Sequence, residues 1–178
     1  MKIFIITVAV VIVYSFTMVF AQDYWQAQRN SYRLKYTCEE LSATAASFYN
    51  LEDYSEGYTI FNTEEGIGAI KEQITSLLSP DSSLTPVDNS YWSEQMEYKV
   101  YFYDDSGICK VYSNGSFERE EDFTYGSTHE DDWTSYNTVI SDPTVVVTIN
   151  AGPARFRVKF LDLLPDIIRS SSHEWKGR

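Results

Sequence analysis

Two different hydrophobic periods divide the chain after its apolar N-terminal run. Up to residue 78 the apolar positions recur at the spacing of a helix, and from Tyr91 onward they alternate with polar positions as in a strand. The first part therefore predicts helices, and the second predicts an antiparallel sheet of short strands joined by tight turns. Together they predict an α+β fold with the helices packed on one face of the sheet.

Capping residues and apolar stripes predict two helices. Thr37 can cap the first of them while Glu40 returns the bond, which is the pattern of a capping box. The second covers residues 62–78 and ends before Pro80. Its apolar stripe consists of Ile67, Ile70, Ile74, Leu77 and Leu78. Residues 23–35 are compatible with either a helix or a strand.

Alternating residues and turn signals predict the strands. A short strand at 56–61 precedes the second helix, and Asn114-Gly115 predicts a two-residue hairpin turn. A short terminal helix is predicted at 165–169. About six strands form the sheet, and they are expected at 95–103, 108–113, 116–123, 133–140, 145–150 and 154–161.

This order of elements is similar to that of NTF2-like folds and, more loosely, of cystatin-like folds. It implies two to three helices on a curved, roughly six-stranded antiparallel sheet. The resemblance rests on element order and carries no function with it. A lipocalin-like β-barrel is the alternative, but the helix near residues 64–78 falls where strands of a barrel should run.

Residues 1–21 have the layout of a secretory signal peptide. Lys2 precedes an apolar run, and the small residues Val19 and Ala21 stand at the −3 and −1 positions of a cleavage site before Gln22. The alternative is an uncleaved membrane anchor, because the run is about long enough to cross a bilayer. We expect cleavage, which leaves residues 22–178 as a single secreted domain.

Charge narrows the choice of partners. Removal of residues 1–21 takes away one cation and no acid, so the net charge of −12 becomes −13. Such an excess of acid repels nucleic acid and anionic membrane surfaces. We therefore expect no nucleic-acid partner, and no membrane partner once the signal is removed.

The two cysteines, Cys38 and Cys109, are expected to form a disulfide because secreted chains fold in an oxidising compartment. The rival interpretation is a reactive thiol at Cys38. That residue stands at the predicted start of a helix, where a thiolate is stabilised.

The acidic stretch "EREEDFTYGSTHEDDW", residues 118–133, concentrates seven carboxylates and one histidine, the side chains most often found in metal and catalytic sites. It lacks the second histidine of a His-Glu-x-x-His zinc site and the spacing of an EF-hand calcium loop. Crowded carboxylates on a loop are most often solvated. The sequence therefore predicts a solvated connection here, with no metal and no cofactor.

Catalytic motifs are weak elsewhere. Asp105-Ser106-Gly107 matches the short motif of aspartic peptidases, but no second copy supplies the partner carboxylate, and a turn explains these residues. The chain has no Gly-x-Ser-x-Gly elbow and no phosphate loop. A glycosidase-like pair of carboxylates stays open because acidic residues are so abundant.

Two features favour recognition. Asn114-Gly115-Ser116 is an N-glycosylation acceptor at a predicted hairpin tip. Arg155, Arg157 and Lys159 alternate with apolar residues, so a strand would place the three cations on one face as an anchor for an anionic ligand. The alternative is that these cations pair with acids on neighbouring strands.

The chain is rich in aromatic residues, including Tyr101 and Tyr103, which should point away from the core-facing set. Exposed Tyr and Trp favour recognition surfaces. We therefore expect a secreted, non-catalytic binding protein, acting on a small amphipathic ligand or an extracellular protein. The alternatives are a secreted carboxylate-based hydrolase and a Tyr-rich extracellular structural protein.

Overall fold

The computed structural model describes residues 2–78, 80–81, 83–87, 90–157 and 165–176. Within these residues three helices precede seven strands. The helices are α1 (Lys2–Ala46), α2 (Leu51–Ser55) and α3 (Thr63–Leu78). The strands are β1 (Glu97–Tyr103), β2 (Ile108–Ser113), β3 (Ser116–Asp122), β4 (Thr128–Glu130), β5 (Asn137–Val139), β6 (Thr144–Pro153) and β7 (Asp166–Glu174). This arrangement confirms the α+β class.

Five strands form one antiparallel sheet in the order β3-β2-β1-β6-β7, and β4 and β5 form a separate two-stranded sheet. Among the described residues nothing joins the edge strands β3 and β7, so the sheet is open and the β-barrel alternative is wrong. The expected six-stranded sheet becomes five strands plus a separate pair, because β5 bonds to β4 and leaves the main sheet one strand smaller.

Helix α1 is much longer than the sequence pattern predicted. It runs unbroken through the expected cleavage site and through residues 23–35, and Thr37 lies in its interior and is buried. Residues 2–46 contain no glycine and no proline, so nothing in this stretch interrupts the helix. The predicted helix start at Thr37 is therefore wrong, whereas α3 confirms the second predicted helix.

The main sheet buries both of its faces at β1. Tyr98, Val100 and Phe102 face α1 and α3, and the intervening Tyr101 and Tyr103 face the opposite side. Both tyrosines thus point away from the helix-side core, as expected, yet they are buried there by another part of the chain. We call the side of the sheet that faces α1 and α3 the helix face, and the side that carries Tyr101 and Tyr103 the open face.

The helix face carries the larger core. Helix α1 packs on β6 and β7 and against α3. Gly66 of α3 lies close to the sheet: a Cβ atom at this position would be 3.4 Å from the ring of Phe102. That distance is an ordinary van der Waals contact, so the sheet leaves room for a methyl group at this position. The buried stripe of α3 is Ile67, Ile70, Ile74 and Leu78, with the predicted Leu77 partly exposed.

The end of the chain differs from its prediction. The terminal helix expected at 165–169 is wrong, because Asp166–Glu174 forms β7 along the edge of β6. β-Branched isoleucines and consecutive serines favour a strand over a helix here. Residues 154–157 belong to no strand, and the rest of the strand expected at 154–161 lies outside the described residues. The strand expected at 56–61 reduces to an isolated bridge from Phe61 to Tyr49.

The two cysteines are free thiols, which corrects the predicted Cys38–Cys109 disulfide. Cys38 belongs to the helix-face core, and its Sγ donates to the carbonyl oxygen of Arg169 at 3.1 Å. Cys109 of β2 pairs with Tyr103 on the open face. The backbone of the sheet separates their side chains, so the direct approach of two Cβ atoms that a disulfide needs is not made.

We expect neither thiol to react with iodoacetamide in the native chain near neutral pH, and both to react after unfolding in urea without reductant. Burial raises the pKa of Cys38 to about 12, and that of Cys109 likewise to about 12, so little thiolate is present and access is blocked. Mass spectrometry counts the adducts. If the cysteines reacted in urea only after a reductant was added, the predicted disulfide would be present.

Candidate functional site

The second half of the acidic stretch folds across the open face of the sheet. The β4–β5 hairpin lies there, with His129 only 3% exposed. The side chain of Asp131 is 1% exposed. The prediction of a solvated connection is therefore wrong for His129 and Asp131, which cover the open face of β1, whereas Glu130 and Asp132 beside them are exposed as expected. β3, which holds the first half, is largely exposed as expected.

Asp131 fastens this cover to the sheet. It accepts hydrogen bonds from the hydroxyl groups of Thr148 in β6 and Ser170 in β7, the latter at 3.2 Å. The backbone N–H groups of Trp133 and Thr134 donate to its other oxygen at 2.8 and 3.0 Å. Four donors satisfy this buried carboxylate, which gives it a structural role.

Two cations hold the remaining acids of the stretch. Lys99 Nζ lies 2.7 Å from Asp132 and 3.2 Å from Glu118, and Arg119 bonds to the same two carboxylates at 3.0 and 2.6 Å. Lys99 also lies 5.2 Å from the centre of the Trp133 ring, within the range of a cation–π contact. The open face thus carries a network of paired charges.

The charge network works against a role for Asp132 as a catalytic acid. Burial by itself would raise the pKa of Asp132, but hydrogen bonds from Lys99 and Arg119 outweigh it and lower the pKa. A carboxylate-based glycosidase needs one carboxyl group that stays protonated, so its pKa must rise. The geometry of Asp132 therefore favours a role in charge pairing.

The peptidase-like motif at Asp105 lies in a turn. Asp104 accepts from Ser106, and Asp105 accepts from the backbone N–H of Thr59 at 2.6 Å and from the hydroxyl of Tyr125 at 2.7 Å. Both carboxylates are thus engaged in holding the β1–β2 turn against neighbouring segments. This is the turn that the sequence pattern also explained.

The cations of the predicted anionic-ligand row are used in contacts. Arg157 Nε bonds to Asp23 at 2.7 Å, and its backbone N–H donates to the same carboxylate at 2.8 Å. Arg155 donates to the carbonyl oxygen of Ser90 at 3.1 Å. Lys159 lies outside the described residues. The residues of this row that are described thus tie the chain to α1 and a loop, without forming a strand.

Asn114 occupies the expected hairpin tip between β2 and β3. Its φ of 51° and that of Gly115 at 81° belong to the turn type that two-residue hairpins prefer. Asn114 is exposed, and its Oδ1 accepts from the backbone N–H of Tyr98 at 2.9 Å. The side-chain nitrogen that would carry a glycan is not used in that bond. Glycosylation stays a prediction.

A broad groove runs along the part of α1 that follows the apolar run. It has a volume of about 920 Å³. Trp25, Tyr32 and Tyr36 line it with exposures of 72%, 59% and 65%. Leu77 of α3 closes one side, and Arg33 donates to the Leu77 carbonyl oxygen. We call this feature the aromatic groove.

Arg29 adds an available positive charge to the aromatic groove. In the described part of the chain it makes no ion pair. The residues Trp25, Arg29, Tyr32 and Tyr36 recur at helical spacing and so share one side of α1. This signal was present in the sequence, but it is readable only when residues 23–35 are known to be helical.

No protein family, no curated protein and no solved structure matches this chain.

Arg157→Glu should lower the free energy of unfolding by roughly 1–3 kcal/mol, because it removes a charged hydrogen bond and places an acid beside the buried Asp23. Arg157 is 56% exposed, so solvent screening favours the lower part of that range. Urea unfolding measures the change. Arg155→Glu is the control, since its partner is a backbone carbonyl. Equal free energies of unfolding for the two variants would show that the Arg157–Asp23 contact adds no stability. That result would favour the predicted anion-binding role of Arg157.

His129 sits in the open-face cluster with one nitrogen bonded and one free. Its Nδ1 lies 2.7 Å from the hydroxyl of Tyr103. Its Nε2 has no hydrogen-bond partner among the described residues and lies 4.0 Å from Asp131. Burial lowers the pKa of His129, and the charge of Asp131 opposes this shift without cancelling it.

The chain should lose stability as the pH falls below about 6.5, which is the ordinary pKa of an unfolded histidine. Because the pKa of folded His129 is lower, the unfolded chain binds the proton first, and the stability present above that pH is lost. Urea midpoints measured from neutral to mildly acidic pH should fall in the wild type and in His173→Asn, whose imidazole is exposed. They should fall less in His129→Gln. If His173→Asn removed the fall in the urea midpoint, the assignment of that fall to His129 would be wrong.

Proposed function

We propose that the chain is a secreted, non-catalytic binding protein that recognises another extracellular protein through the aromatic groove of α1. The observation that carries this proposal is the row of exposed aromatic side chains around an available arginine. Tyr, Trp and Arg are the residues that dominate binding energy at protein interfaces.

The packing of the core favours a surface groove over an enclosed carrier pocket. Leu34 and Leu41 of α1 and Ile70 of α3 are completely buried where the helices meet the sheet. Their side chains fill the space in which a helix-and-sheet carrier would hold its ligand. Binding through the outer side of α1 leaves this core intact.

Charge complementarity indicates the chemistry of the partner. The chain is strongly acidic, yet the aromatic groove presents Arg29 and Arg33 between aromatic rings. A partner with an apolar patch flanked by carboxylates would gain contacts with the rings and with Arg29. A basic partner would meet repulsion from these cations. We therefore favour an acidic, amphipathic segment of a protein.

The apolar N-terminal part of α1 supports the proposed extracellular location. Among the described residues α1 is long and apolar enough to cross a membrane, and a signal sequence passes the same test. We propose cleavage before Gln22, which leaves the aromatic groove on the secreted domain. Retention of residues 1–21 would instead hold the same groove next to a membrane surface.

We also propose that the fold belongs with the cystatin-like or NTF2-like architectures. One long helix packs across an open antiparallel sheet, with β1 and β6 at its centre. Support for this finer assignment comes from element order and layering, and it adds no argument about function.

Tyr32→Ala should weaken binding of the partner about five-fold or more, because truncation of an interface aromatic commonly costs more than 1 kcal/mol. Tyr58→Ala is a matched control, since Tyr58 is 57% exposed and does not line the groove. The measurement is native mass spectrometry of the chain isolated with its bound components from cells that produce it. The intact mass also shows whether the chain begins at Gln22.

Three results are informative. A bound protein that is lost in Tyr32→Ala and kept in Tyr58→Ala would support the proposal. A bound small molecule with the same dependence would assign the groove to an amphipathic ligand. A bound component that both variants retain equally would place recognition on another surface.

A further inference from the structure

The peptide bond that the proposed cleavage would cut lies inside a regular helix. α1 continues without interruption from Lys2 to Ala46, so the bond between Ala21 and Gln22 lies near its middle. The side chains of residues 2–18 are all exposed, and Val19 is the first partly buried one. The folded domain therefore begins to cover α1 just before the cleavage site.

One segment from the other end of the chain holds α1 on both sides of this bond. The ring of Phe20 stacks on the ring of Phe156, with centroids 6.3 Å apart. Nη2 of Arg157 donates to Oε1 of Gln22 at 2.9 Å. Nε and the backbone N–H of Arg157 donate to the two carboxylate oxygens of Asp23 at 2.7 and 2.8 Å. We call Phe156 and Arg157 the latch.

Burial makes the contact between Asp23 and the latch costly to break. Asp23 and Phe156 are both buried, although the rest of α1 on either side of the cleavage site is largely exposed. A buried carboxylate that loses its donors is left as an uncompensated charge. Local opening of α1 at this point therefore has to expose Asp23 and give up charged hydrogen bonds.

A peptidase requires this opening. A peptide that adds as a strand to its receptor must be extended, which a helical segment is not. Cleavage of a folded chain passes through transiently opened states, and its rate follows their population when opening and closing are fast. Residues 19–23 must therefore leave the helix, and the latch opposes that step once the domain has folded.

We propose that folding closes the cleavage site, so that a chain whose domain folds before the peptidase acts keeps residues 1–21. This inference rests on the proposed cleavage before Gln22. Arg157 lies 134 residues after Asp23, so the latch forms only after most of the chain has been made. Chains cut before that point are released, and chains that fold first carry the aromatic groove next to the membrane.

The test is incubation of the full chain in detergent micelles with purified signal peptidase. Mass spectrometry gives the rate at which a chain beginning at Gln22 appears. Arg157→Gln should be cut about five-fold faster or more than the wild type, because opening α1 no longer breaks the charged contacts of the guanidinium. Arg157 is far in sequence from the residues that a peptidase contacts, so this effect must pass through the fold.

Two controls separate the latch from general instability. Arg155→Gln changes the same segment, but Arg155 bonds to the carbonyl oxygen of Ser90, so its cleavage rate should equal that of the wild type. Val111→Ala removes completely buried methyl groups from the open-face core, away from the latch. It lowers the stability of the whole domain and should leave the cleavage rate near that of the wild type.

Leu41→Asp gives the rate for an unfolded chain, because Leu41 is completely buried in the helix-face core. It should be cut fastest. If the wild type is cut as fast as Leu41→Asp, the latch is overturned and the proposed cleavage stands. If Leu41→Asp is not cut before Gln22, the proposed cleavage is itself wrong. Equal rates for Arg157→Gln and the wild type, or for Arg157→Gln and Val111→Ala, would also overturn the latch.

Discussion

Burial of β1 on both of its faces is the constraint on which the rest of this structure depends. Six of its seven residues are buried, including Lys99. Helices α1 and α3 cover one face, and α2, the third described helix, has five residues and none of them is buried. The cover must come from the connection between β3 and β6. That need explains why the β4–β5 hairpin packs on the sheet with His129 and the side chain of Asp131 buried, while the other acids of the stretch stay exposed.

Covering an apolar face with an acidic segment has an electrostatic cost, which the structure meets with specific partners. Asp131 receives four hydrogen bonds, and the acids next to it share Lys99 and Arg119. Each cation lies on the open face of its own strand, where the strand period aims it at the cover. The paired charges on this face are therefore a consequence of how the sheet is closed off from water.

The parts of the fold that were predictable are those governed by local pattern. The stripe of α3, the alternation of β1 and the Asn114-Gly115 turn each follow from a few neighbouring residues. The errors arose where distant partners decide. β7 is a strand because the edge of β6 was available, and Arg157 is held by Asp23, which lies more than a hundred residues earlier. Pairings of that kind leave no signal in local periodicity.

The candidate sites also divide into those that a local pattern shows and those that only the fold shows. The aromatic groove was visible in the spacing of Trp25, Tyr32 and Tyr36 once the helix was known. The cavity on the open face of the sheet, beside the β4–β5 hairpin, joins residues from β1, β2, β3, the β3–β4 connection and β4, and only the fold brings these together. The two cysteines give the reverse case. A rule of composition predicted their pairing, and the sheet between them overrides it.

The continuity of α1 has a mechanical consequence. A helix without a break transmits orientation along its length, and at about 1.5 Å per residue the stretch from Ile3 to Trp25 is a rod of roughly 33 Å. Whatever grips the first half of this rod also sets the direction in which the domain faces, since nothing between them can act as a hinge. Proteolysis before Gln22 would therefore release the domain and also remove the constraint on its orientation.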